Sequence, residues 1–70
     1  MHDIAYTGAY VFTATFAEGG VVRDLFTLSA LGATTLAEAK RTFRDYVAGT
    51  HQYPANKIVV TAKKSSERFA

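Results

Sequence analysis

The sequence predicts an α+β domain: a three-stranded antiparallel sheet of strand order 2-1-3 with one helix packed on one face, in ββαβ topology. Three observations predict it. Residues 5–17 alternate apolar and polar with period two and run into Glu18-Gly19-Gly20, residues 36–48 form a capped amphipathic segment, and residues 57–64 are rich in β-branched side chains.

In the first strand, Tyr10, Phe12, Ala14 and Phe16 share one face, and Val11, Thr13 and Thr15 share the other. Glycine supplies the positive φ that tight hairpins need, so Glu18-Gly19-Gly20 predicts a turn. The second strand is expected over residues 21–31. Phe26, Leu28 and Ala30 continue the core face there, and Arg23, Leu25, Thr27 and Ser29 take the opposite one. Asp24 falls on the core parity, which predicts either a bulge or an end of the sheet open to water.

Thr35 is placed to cap the helix, with Glu38 three residues on to complete a capping box. At 100° per residue, Leu36, Ala39, Phe43, Tyr46 and Val47 fall on one stripe and Glu38, Arg41 and Asp45 lie opposite. Gly49 is then the expected C-terminal stop, so the helix spans residues 36–48. The third strand follows, with Ile58, Val60 and Ala62 facing the core.

A right-handed crossover makes the third strand parallel to the second, and the aromatic-rich first strand then pairs with both from the centre. The expected core is Phe12, Phe16, Phe26, Leu28, Leu36, Phe43, Val47, Ile58 and Val60. The far face would present Val11, Thr13, Thr15, Leu25, Thr27, Val59 and Thr61, half apolar and half hydroxyl, which suits a partner or a second copy.

The 70 residues form one domain, with an ordered part expected over about residues 5–64. Apolar residues make up 49% of the chain, with five Phe and four Tyr, enough to argue against disorder. There is no cysteine, hence no disulfide or thiolate metal site, and neither a signal-peptide pattern nor a membrane span is visible. A soluble cytoplasmic protein is the expectation. The net charge of +2 is too small for the dense basic stripe of a dedicated nucleic-acid module.

Catalytic chemistry finds no support. His2 and His51 read as surface histidines, Ser65 and Ser66 lie in a tail, and no G-x-S-x-G elbow or phosphate-binding glycine loop occurs. Glu38 and Asp45 each have Arg41 three or four residues away, which reads as helix-stabilising ion pairing. No metal or other cofactor is expected. The cations are the stronger signal: Lys40, Arg44 and Arg41 fall at roughly 40°, 80° and 140° around the helix, beside its apolar stripe. Arg23, Lys57, Lys63 and Lys64 add charge along the edge strands. Tyr6, Tyr10 and Tyr53 are candidate interface anchors, though Tyr53 also suits a cap on the core where the chain returns to the sheet.

In topology over about residues 10–62, and in the "LAEAKR" opening of its helix, the chain resembles small phage-encoded proteins. Some anti-CRISPR inhibitors of multisubunit surveillance complexes are among them. The resemblance implies a non-enzymatic inhibitor in the host-cell cytoplasm whose cations and tyrosines bind a host protein or nucleoprotein complex. The expected partner-binding residues are Arg23, Lys40, Arg41, Arg44, Tyr53, Lys57 and Lys63. Direct nucleic-acid binding by the same cations, or homodimerisation through the open face or an edge strand, are the alternatives.

Overall fold

The structure, a computed structural model, describes residues 8–65. Its elements are β1 (Tyr10–Phe16), β2 (Val21–Phe26), a 3-10 turn (Ser29–Leu31), α1 (Leu36–His51), a second 3-10 turn (Ala55–Lys57) and β3 (Ile58–Lys64). Both neighbours of β1 are antiparallel to it, giving the sheet order β2-β1-β3 with α1 on one face, as the sequence predicts. His2, residues 5–7 of the expected first strand, Ser66 and the tail beyond it lie outside the described residues.

The period-two pattern of β1 explains the layering. Tyr10, Phe12 and Ala14 are buried under the helix, with Ile58 of β3 and with Ala39, Phe43 and Val47 of α1. Phe12 is the hub, its ring centroid lying 5.4 Å from that of Phe43, 6.2 Å from Tyr10 and 6.4 Å from Phe26. Each ring removed from water contributes about 1.5–3 kcal/mol. The large rings alternate with fully buried alanines, Ala14 beside Phe12 and Ala39 beside Phe43, an interleaving that lets the layers fit together without strain. The expected interface role for Tyr10 gives way to a core role, since the residue is only 8% exposed. Tyr46, expected on the buried stripe, stands at its margin and is 56% exposed.

β2 ends five residues earlier than the alternation suggests. Thr27 Oγ1 accepts a hydrogen bond from the Ala30 N–H at 3.1 Å, and the Leu28 carbonyl accepts from the Leu31 and Ala33 N–H groups, each at 3.0 Å. These local bonds outcompete the ladder. Leu28 still packs against the core, now from a turn, while Ala30 is exposed. Asp24 makes no bulge: the register from Tyr10↔Phe26 to Thr15↔Val21 is continuous, and Asp24 sits opposite Phe12 at the uncovered edge. It remains in water because α1 packs mainly over β3 and β1, reaching β2 at Phe26, whose ring lies 5.9 Å from that of Phe43.

α1 also runs past Gly49 to His51. Gln52 takes the left-handed conformation (φ 53°), the Tyr53 N–H bonds to the Ala48 carbonyl at 2.9 Å, and the Gln52 N–H bonds to Gly49 at 3.4 Å. That is a Schellman closure three residues beyond the expected stop. Gly49 is an ordinary helical residue, costing about 1 kcal/mol relative to alanine. The extra turn places the His51 ring 5.4 Å from Phe16, a contact a helix ending at Ala48 would not make.

At the other end Thr35 caps as expected, its Oγ1 accepting from the Glu38 N–H at 3.1 Å. The return bond of the box shifts by one residue: Glu38 Oε1 accepts from both the N–H and the hydroxyl of Thr34, each at 3.0 Å. These two donors, the backbone one first, hold the Glu38 carboxyl below the usual glutamate range. A lowered folded-state value stabilises above the unfolded value, and the gain is lost as pH falls through the folded one. The Tm gap between wild type and Glu38→Gln should therefore be open at neutral pH and close below the usual glutamate range. Thr35→Ala should cost about 1 kcal/mol at every pH, because its hydroxyl does not titrate. A Glu38→Gln gap that persists in acid would refute the assignment.

Candidate functional site

With the helix on one side of the sheet, the alternate residues of each strand face the other way. The two registers align them in three rows: Leu25-Val11-Lys63, Arg23-Thr13-Thr61 and Val21-Thr15-Val59. No element among the described residues covers this face, and Val59 and Val21 are 66% and 53% exposed. Its first two rows form a shallow concavity of about 410 Å³, lined by Val11, Thr13, Arg23, Leu25 and Lys63, with Lys64 and Ser65 closing one end.

The expected cations fall into separate groups. Arg23 and Lys63 both line the concavity of the open face, from opposite edge strands, with Val11 and Thr13 of β1 between them. Lys40, Arg41 and Arg44 belong to α1 and so lie behind the opposite face. Lys57 closes the second 3-10 turn, where its carbonyl accepts from the Ala17 N–H at 3.1 Å and ties that turn to the hairpin. No single patch unites all the expected cations. Among the described residues, no carboxylate lies within ion-pair distance of Arg23, Lys40, Arg41, Lys57 or Lys63. The expected Arg41 pairs give way to a loose contact of 4.0 Å between Arg44 Nε and Asp45 Oδ1, because Glu38 is turned back onto Thr34.

Tyr53 packs edge-on against Phe16 with ring centroids 4.9 Å apart, capping the core where the chain re-joins the sheet. With Glu18, Gly20 and His51 these two rings line a second, smaller hollow of about 340 Å³ beside the hairpin. The involvement of His51 is invisible in the sequence once a helix stop is placed at Gly49. Val21 was likewise hidden by the open register beside the turn, whereas Leu25 and Val59 carry the correct parity in the sequence.

The described residues hold no group of three or more His, Asp or Glu side chains able to bind a metal ion. No helix among them is long and apolar enough to cross a membrane. Comparison with known protein families, with curated proteins and with solved structures finds no match to this chain.

Proposed function

We propose that the protein works without chemistry of its own, as a binding protein whose open sheet face occupies a surface of a host protein or nucleoprotein complex. An inhibitor of the anti-CRISPR kind is one form of that activity. The observation that carries the reading is the exposure of Val59 and Val21 in one row of an uncovered sheet face. Apolar side chains so placed gain free energy when a partner excludes water from them.

The test is site-specific photo-crosslinking in cells that produce the full chain, with the photoreactive residue placed at Val59 or, as a control, at Arg41 on the helix. The reading expects a discrete adduct from position 59 and none from 41. Adducts from 41 alone would overturn it. So would salt-sensitive anisotropy of labelled DNA or RNA that is lost on replacing Lys40 and Arg44 by glutamine, since that result would make the helix flank a phosphate grip.

A further inference from the structure

The open face carries more information than its exposure, because the charges among its described residues are of one sign. Arg23 on β2 and Lys63 on β3 stand on either side of β1, one row apart along the strands. With strands about 4.8 Å apart and alternate residues about 6.8 Å apart, their backbone positions are separated by about 12 Å on the diagonal. Val11 and Thr13 lie beneath the midpoint of that line, and Leu25 flanks it. Asp24, the nearest carboxylate in sequence, points to the helix side of the sheet, opposite Phe12. The concavity is thus a floor of Val11, Thr13 and Leu25 between Arg23 and Lys63, with Lys64 at one end and no acidic residue among the described residues of its lining.

We infer that this concavity receives an extended acidic segment of a partner protein, with carboxylates at positions i and i+4 and an aliphatic side chain at i+2. In an extended peptide, side chains at i, i+2 and i+4 share one face and span about 13 Å, which matches the Arg23 to Lys63 separation. The two acids meet the cations and the aliphatic group covers Val11. Arg23 also offers a planar fork suited to a carboxylate.

Two other occupants fit less well. A single-stranded nucleic acid needs rings to stack on, but Tyr10, Phe12, Phe16 and Phe26 all occupy helix-side positions of the sheet, leaving the open rows without an aromatic. A second copy laid face to face would bring Arg23 and Lys63 against the same two cations, at a cost in repulsion.

The inference rests on the open face being the binding surface, and its test separates the two ideas. Fluorescence anisotropy of the full chain would be measured with three labelled pentapeptides, Glu-Thr-Leu-Thr-Glu and its Gln and Lys counterparts, and with a short oligothymidylate, at low and raised salt. The Glu peptide should bind in preference to all the others. The double variant Arg23→Glu/Lys63→Glu should weaken it by on the order of tenfold and favour the Lys peptide instead, while Lys40→Glu leaves binding unchanged. Equal binding of the Gln peptide, or tighter binding of oligothymidylate, overturns the inference. If such a result comes with an intact crosslink from position 59, the acidic segment is wrong and the open face stands. If the crosslink is lost as well, both fail.

Discussion

Phe12→Ala should leave the chain unable to hold a cooperative fold. The residue is fully buried in the central strand, and its ring lies within 6.4 Å, centroid to centroid, of Tyr10, Phe26 and Phe43. Truncating a buried phenylalanine costs about 3–5 kcal/mol, from lost transfer energy and from the cavity left behind. A single core in a chain below about 70–80 residues supplies about the same amount in total. Thermal unfolding followed by circular dichroism should show a sigmoidal transition for wild type and a shallow, uncooperative one for the variant. Phe12→Leu, which keeps most of the volume, should remain folded with a lowered Tm. A cooperative Phe12→Ala variant within about 1.5 kcal/mol of wild type would show that the aromatic cluster collapses readily around the gap.

Such a hub is legible in the sequence because one physical requirement dominates it. The parity of Tyr10, Phe12, Ala14 and Phe16 and the 100° stripe of Leu36, Ala39, Phe43 and Val47 each have one economical solution, the burial of one face against the other. The boundaries were harder because two local solutions compete there. Leu28 satisfies both a strand continuing to residue 31 and a turn stapled by Thr27 Oγ1, and both put its side chain on the core. Gly49 can end a helix or sit inside one at modest cost, and the deciding contact, His51 on Phe16, is made by a residue 35 positions away in sequence.

The cations show a related limit. Their parity places Arg23 and Lys63 on the open face, yet helical spacing alone draws the eye to Lys40, Arg41 and Arg44, which share an element but face away from that concavity. Which charges act together is a question of register across β1. Only the pairings Arg23↔Thr13 and Val11↔Lys63 answer it.

The two hairpin glycines should fail for different reasons, and the difference can be measured. Gly19 has φ +105° and open space around it, so Gly19→Ala is penalised by its backbone alone, at about 1–3 kcal/mol. At Gly20 a Cβ would lie 3.0 Å from Phe16 Cδ2, and the Phe16 ring packs against Tyr53 at 4.9 Å and His51 at 5.4 Å, centroid to centroid. Gly20→Ala must therefore displace, by a few tenths of an ångström, a ring that already packs edge-on against two others. Both variants should have a lower denaturation midpoint, Gly19→Ala through its backbone and Gly20→Ala through the displaced ring, in a turn closed by Phe16 N–H to Gly20 O at 2.8 Å and by Gly19 N–H to Phe16 O at 2.9 Å. Only Gly20→Ala should shift the ring-proton resonances of Phe16, Tyr53 and His51, since those rings sense one another through ring currents. If Gly19→Ala moved the same resonances by as much, the turn and the aromatic hollow would be a single mechanical unit. The hollow would then owe its shape to the left-handed backbone at Gly19 as much as to the missing side chain at Gly20.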